Sequence, residues 1–442
     1  MRTLILIVLA AGSALAGESE VEKLRRDLDE ALRRLEQIEK SQPPAHHHHE
    51  GEEHRDGELW SGDLGGGLRA QLLELSLDLL MVGTWSTART DEIGRLNAHH
   101  HDPHVRGFTL QNAELSAQGA VDPHFTAEIH TTWVVDSEGE SEFELEEAFF
   151  TTTGLPGGLE VRGGHMNLAF GRFNTGHAHT WRFVNAPVVA TRFLGEDGLR
   201  SQGARLAWRA PLPFFFEPLV GIYNANSGHG TWSFISDRGE EGPLPATPIA
   251  REVRSWRDLL YLGRIEAGAD FKEAATARFG LSCAHGPNGT GTRADTTLFG
   301  ADALFRWTPH ENAHGWPFVE FQAEFLVRRY ERAAADDGGG TEYRHEWFQD
   351  WGAYAQVVVG FAERWTAGLR VDRAVGEFRN EDPGHNARWR FSPALSWHMT
   401  HLCRIRLQYD LDHASHLPND RMEHQFSLQV EVQLGRHGAH RH

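Results

Sequence analysis

Residues 124–135 read His124-Phe125-Thr126-Ala127-Glu128-Ile129-His130-Thr131-Thr132-Trp133-Val134-Val135, and their alternation decides the fold. Phe125, Ala127, Ile129, Thr131, Trp133 and Val135 make one mostly apolar row. His124, Thr126, Glu128, His130 and Thr132 make a polar, titratable row. Successive side chains of a strand point to opposite faces, so this is a strand with one greasy and one wet side. The pattern recurs at Leu73/Leu75/Leu77/Leu79 against Glu74/Ser76/Asp78. It recurs again at Val319/Phe321/Ala323/Phe325/Val327 against Glu320/Gln322/Glu324/Arg328. The last two runs are Cys403/Ile405/Leu407/Tyr409/Leu411 and Phe426/Leu428/Val430/Val432/Leu434.

Sixteen such runs follow one another, from 68–85 to 423–434. Most exceed ten residues, whereas soluble strands average ~5–6 and a tilted membrane strand needs ~9–11. Short connections such as Val121-Asp122-Pro123, Phe271-Lys272 and Ala362-Glu363 alternate with longer ones such as 86–105, 169–199 and 224–258. Outer-membrane barrels have this sidedness, with short periplasmic turns and longer outer loops. A sheet edge left open in lipid strands backbone groups without partners, so the sheet must close. The expected fold is all-β: a transmembrane antiparallel β-barrel of about 16 strands over 68–434. Trp85, Trp133, Trp351 and Trp365 near strand ends suit an interfacial aromatic girdle.

The flanks read differently. Arg2, the apolar Leu4 to Ala11 and the small-x-small Ala14-Leu15-Ala16 give a signal peptide over 1–16. Val21, Leu24, Leu28, Ala31, Leu35 and Ile38 are spaced as a coiled-coil seam, so 17–42 is expected to be a short periplasmic helix, ended by Pro43-Pro44. Residues 43–67 are a His- and Gly-rich linker and 435–442 a His-rich tail. The expected location is the bacterial outer membrane. The expected partners are its lipids, the barrel-assembly machinery and further copies in a homotrimer.

The 43 basic and 62 acidic residues leave a formal net charge of -19. Nucleic acid is a poor partner for so acidic a chain, and cations suit it better than anions. Only Cys283 and Cys403 are present, which makes no disulfide scaffold. No serine sits in a Gly-x-Ser-x-Gly turn and no triad is evident, so the chain is not expected to be an enzyme and has no catalytic residues.

The 28 histidines carry the chemistry. His99, His100, His101 and His104 cluster with Asp102 in the first long loop, and His165, His177 and His179 surround the third. Imidazole suits first-row divalent metals, and carboxylates complete such sites, so these eight are the candidate metal ligands. The expected ligand is zinc or another divalent metal, with no organic cofactor. Histidines also cluster at His46 to His49, His54, His437, His440 and His442. Arg205, Arg209, Arg370, Arg388 and Arg390 are candidates for facing the lumen, as are Glu128, His130, Glu320 and Glu324.

The stretch from Gly164-His165-Met166-Asn167 through Gly171-Arg172-Phe173-Asn174-Thr175-Gly176-His177-Ala178-His179-Thr180-Trp181-Arg182 to Gly195-Glu196-Asp197-Gly198-Leu199 carries a resemblance, together with Phe108-Thr109-Leu110-Gln111 and Val121-Asp122-Pro123. It resembles the zinc-regulated TonB-dependent outer-membrane receptors, and more distantly is similar to the phosphate-selective porins. The resemblance covers most of 68–434 in layout and is specific over about 105–210. It implies passage or capture of small solutes linked to divalent metal acquisition. Such receptors carry a globular plug; here residues 17–67 read as helix and linker, so the likeness is to a plug-less, porin-like form. By analogy with sixteen-stranded porins, whose third loop folds inward, Arg172, Asn174, Arg182 and Glu196 would sit with His177 and His179 at a constriction. A general or anion-selective porin and a structural or adhesive barrel are the alternative readings.

Overall fold

A computed structural model describes residues 60–63, 69–135, 141–226, 233–235, 251–271, 274–309, 315–336, 342–376, 387–414 and 421–435. The signal-peptide, coiled-coil and tail readings, and the histidines of the linker and tail, lie outside them. The linker reading is altered at its end, where Trp60–Asp63 forms a short strand on the first barrel strand.

The barrel strands are β1 (Arg69–Ser86), β2 (Gly107–Asp122), β3 (Phe125–Val135), β4 (Ser141–Thr152), β5 (Leu159–Asn167), β6 (Arg200–Trp208), β7 (Phe215–Asn224) and β8 (Leu259–Phe271). They continue as β9 (Ala275–Pro287), β10 (Asp295–Trp307), β11 (Phe318–Arg332), β12 (Glu346–Ala362), β13 (Trp365–Gly376), β14 (Arg388–Thr400), β15 (Cys403–Ala414) and β16 (Met422–Gly435). Each pairs antiparallel with its neighbours in sequence, and β16 returns to β1 from Gln425↔Ser86 to Gly435↔Ser76. The sheet is therefore a closed ring of 16 strands, and the ends of its first and last strands lie within one residue of the bounds read from the sequence.

Polarity is inverted relative to a soluble protein. Ile129, Val220, Ile265, Phe279, Leu281, Leu407 and Leu428 are all exposed, while Asp78, Glu114, Arg328, Asp372, Arg390 and Asp410 are at most 1% exposed. Water cannot be the outer solvent of such a surface without large aggregation-prone patches, whereas lipid can. Cys283 belongs to the outward row and Cys403 is half-buried; neither is bonded. Exposed tryptophans mark both rims: Trp85 and Trp256 towards the long loops, Trp208, Trp307, Trp365 and Trp397 towards the short turns.

Among the described residues, two bulges fall within the barrel strands, and three further register shifts sit at strand ends beside short turns. Between β1 and β2 the register jumps from Leu80↔Asn112 to Met81↔Leu110, leaving Gln111 unpaired. Between β3 and β4 it jumps from His130↔Glu147 to Thr131↔Leu145, leaving Glu146 unpaired. A bulge re-aims side chains. Here it turns two consecutive residues inward at each place, and Gln111, Asn112, Glu146 and Glu147 are all buried.

Candidate functional site

The lumen is crossed by the connection 168–199. Its neck is clasped by Asn174, whose Nδ2 donates to the carbonyls of Leu168 and Leu199 and whose Oδ1 accepts from the Leu199 amide at 2.7 Å. Gly171 has φ +67°, and a Cβ there would lie 2.1 Å from Glu324 Oε2, so the turn requires glycine. Glu324 also accepts from the Phe173 amide (2.6 Å) and the Tyr354 hydroxyl (2.8 Å). The loop then reaches the opposite wall. Arg182 forms a bidentate pair with Glu320 at 2.7 and 2.8 Å. The Val184 amide donates to Gln408, and the Val188 amide to Asp372. Arg370 donates to Asn185 twice, through the backbone carbonyl (2.7 Å) and the side-chain oxygen (2.6 Å).

A short helix, α2 (Val188–Leu194), completes the crossing. Val189, Phe193 and Leu194 pack with Leu168, Phe170, Leu260, Leu262, Leu298, Leu326, Phe234 and Ile235. This apolar core lies inside the barrel. It explains why Leu260, Leu262, Leu298 and Leu326 face inward where a water-filled bore would place polar groups.

The first long connection also folds inward. After helix α1 (Thr90–Leu96), Asn97 donates to Gln425, and Arg388 and Arg390 donate to the Leu96 carbonyl. The Asp102 carboxylate accepts from the amides of Ala186 and His99, which pins the two loops together. Of the candidate ligands in this loop, His99, His101 and Asp102 are buried. Asp102 is committed to backbone amides, and His99 packs edge-on against Trp181. Burial, with His101 and His100 beside it, holds His99 well below the usual imidazole range. His100 lies 3.8 Å from Asp197, and His104 meets the His100 carbonyl. The Glu196 carbonyl accepts from the His100 amide.

The loops bring imidazoles onto a carboxylate cluster of the β2–β4 wall. His177 Nδ1 donates to Glu146 at 2.9 Å and lies 3.5 Å from Glu114; its Nε2 donates to Glu147 at 2.8 Å. His179 Nδ1 lies 3.0 Å from Glu114, and His130 Nδ1 lies 3.4 Å from the other Glu114 oxygen and 2.8 Å from Ser116 Oγ. His101 Nε2 is 2.7 Å from Glu146. Burial alone would lower the His177 pKa, but Glu114, Glu146 and Glu147 around it drive it well above the usual value. For His101 the hydrogen bond and charge of Glu146 likewise overcome burial and raise it to about 9. The surrounding carboxylates thus favour the charged form of His177, and the bulge at Glu146 lets both neighbouring carboxylates reach it.

Among the described residues, Glu114, His130 and His177 place one ligand atom each within 4.8 Å of one another, a spacing that suits a metal ion. Two of the three differ from the eight candidate ligands. His130 was read as a lumen residue, and Glu114 was missed. His177 is in the group, and His179 and His101 border it through Glu114 and Glu146. His99, His100, His104, Asp102 and the half-buried His165 are not brought to it.

The cluster faces a cavity of about 900 Å³ lined by Glu128, His130, Glu147, His177 and Arg172. A second cavity of about 1350 Å³ lies along the other wall, lined by Arg172, Arg182, Arg306, Glu320 and Arg404. They meet at Arg172, Thr175, Glu217 and Glu266 and reach Ala120, Thr126 and His401 near the short turns. On the other side of His177 is a pocket of about 30 Å³ with His99, His101 and Trp181. Arg172, which pairs with Glu266 at 2.7 Å, and Arg182 therefore line the wet part of the bore. Asn174 is corrected from a constriction residue to the clasp of the loop neck. Glu324 points inward, where it anchors the loop.

These features define a transmembrane antiparallel β-barrel with an inward-folded third loop. No family model matches the chain. A protein of Aquifex aeolicus (strain VF5) described only as an uncharacterized protein is 28% identical over 404 residues, covering 83% of this chain and 79% of its own. Among solved structures, Pseudomonas putida OprB at high pH aligns with a TM-score of 0.51 at 11% identity, covering 82% of this chain and 94% of that one. A loop L8 deletion mutant of OmpT, an outer membrane protein of Vibrio cholerae, aligns with a TM-score of 0.47 at 8% identity, covering 82% and 99%. At these identities the likeness to OprB is one of fold.

Proposed function

We propose that this protein is a porin-like channel of the bacterial outer membrane for small polar solutes, with a divalent cation, zinc or a first-row neighbour, recognised at Glu114, His130 and His177. Outer-membrane lipid surrounds it, the barrel-assembly machinery inserts it, and a homotrimer is its assembled form. The observation that carries this reading is the position of the acid–imidazole cluster. It lines a polar cavity open towards the short turns, at the level where loop 168–199 narrows the bore. Coordinating groups at a narrowing decide which ions pass. Glu114, His130 and His177 would have to be deprotonated to hold such a cation, so acid would compete with it.

Single-channel recording on the purified full chain in planar bilayers tests this. Zinc added on the short-turn side is expected to reduce the current. The double variant His130→Ala/His177→Ala, shown to be folded by its heat-dependent gel migration, is expected to need at least ~10-fold more zinc for the same block, a loss of about 1.4 kcal/mol. Equal block in the two proteins ends the metal reading and leaves a general porin. A second reading has its own support. The apolar core under α2 fills the lumen towards the long loops, as a structural or adhesive barrel would have it. Bilayers that hold inserted protein and stay electrically silent would favour that reading.

A further inference from the structure

The lipid-facing wall carries a recess near the long loops, a groove of about 340 Å³ that crosses β2, β1, β16 and β15. Gly83 of β1 is paired with Phe108 on one side and Leu428 on the other, and Leu407 lies beyond Leu428. Gly83 has no side chain and makes the floor. Phe108, 81% exposed, stands up as one wall, and Leu428 and Leu407 as the other. Trp85 and Phe426, with ring centroids 5.9 Å apart, flank the end towards the long loops. A Cβ added at Gly83 would lie 3.3 Å from the Phe108 ring, so a larger residue there would crowd the floor.

The loop-side end of the groove is basic. Arg106, next in the chain to Gly107 and Phe108, is exposed and makes no ion pair among the described residues. Its Nε donates to the Ser86 carbonyl (2.8 Å), one terminal nitrogen to the Thr90 hydroxyl (3.3 Å) and the other to the Ala88 carbonyl, all neutral. Each terminal nitrogen keeps a further N–H. Arg89, also exposed, lies in the chain between the Ala88 and Thr90 that Arg106 holds. An apolar slot in the hydrocarbon with guanidiniums at the headgroup level has the profile of an amphiphile: a chain along the slot, an anionic head at its end. Guanidinium forks match phosphate oxygens in geometry as well as charge. The charge at this end favours a lipid over a second barrel wall, whose outward rows are apolar. We infer that the groove holds an acyl chain of a phosphorylated lipid of the outer leaflet, with the lipid phosphate on Arg106 and Arg89.

Native mass spectrometry of the full chain in a neutral detergent tests the inference, with phosphatidic acid or phosphatidylcholine of the same acyl chains added. The chain is expected to retain one phosphatidic acid at concentrations where phosphatidylcholine is not retained. Gly83→Leu, which fills the floor, is expected to raise the phosphatidic acid needed about tenfold. Arg106→Gln is expected to cost several-fold. Because Arg106 also ties the strand end to the loop, Arg89→Gln serves as a second variant at the head, with a smaller loss in the same direction. Heat-dependent gel migration shows that each variant is folded. Inorganic phosphate is expected not to displace the lipid, since the acyl chain carries part of the binding. Equal retention of the two lipids overturns the inference, as does unchanged retention in folded Gly83→Leu and Arg106→Gln. An oligomer that holds no lipid and dissociates in Gly83→Leu would assign the groove to a second copy and overturn it as well.

Discussion

Replacing Arg370 with leucine is expected to release the far side of loop 168–199 and raise single-channel conductance several-fold. Arg370 is 1% exposed, and its Nε pairs with Asp372 at 2.9 Å. Its two terminal nitrogens hold both oxygens of Asn185, and Asp372 itself accepts from the Val188 amide. One guanidinium thus organises the wall that receives the loop. Removing it strands the Asp372 carboxylate and leaves Asn185 with weaker partners. Breaking a buried pair from one side typically costs ~3–5 kcal/mol. The barrel ladder does not depend on these contacts, so the loss should fall on loop docking, with heat-dependent gel migration unchanged. Wild-type conductance in folded Arg370→Leu would show that the loop is held by its apolar core alone.

Placing a charge on the outer face should instead destabilise the barrel itself. Leu281 is 65% exposed near the middle of β9, paired with Ala301 and Ile265 across its neighbours. On a water-facing surface, Leu281→Arg would change stability within about ±0.5 kcal/mol. Facing hydrocarbon near the midplane, arginine costs ~2–4 kcal/mol. Urea titration of vesicle-reconstituted protein, followed by tryptophan fluorescence, reads the difference directly. A midpoint equal to wild type would mean that Leu281 does not see lipid.

Strand boundaries were legible because lipid imposes strict rules on length, alternation and closure, and no strand can break them without leaving backbone groups unpaired. What escaped the reading is where the rules relax. Glu146-Glu147 and Phe149-Phe150 are doublets that shift the phase of β4 through a bulge, so Glu146 and Glu147 did not stand out as a lumen pair. Glu114 sits in plain alternation on β2, and its partners His177 and His179 are 63 and 65 residues away; only the inward loop brings them together. Leu259-Leu260-Tyr261-Leu262 is apolar on both faces, which signals an element packed inside the bore, here α2 and its neighbours. That His99 and His101 are buried was not legible, because burial by a second loop leaves no periodic trace.

The inside-out arrangement of side chains is what makes this barrel a membrane protein, and the native Cys283 reports on it. A nitroxide attached there, in the Cys403→Ser background and in lipid bilayers, is expected to collide readily with dissolved oxygen and hardly at all with a water-soluble nickel chelate. Strong relaxation by the chelate and weak relaxation by oxygen would place that row in water and contradict a membrane-spanning barrel.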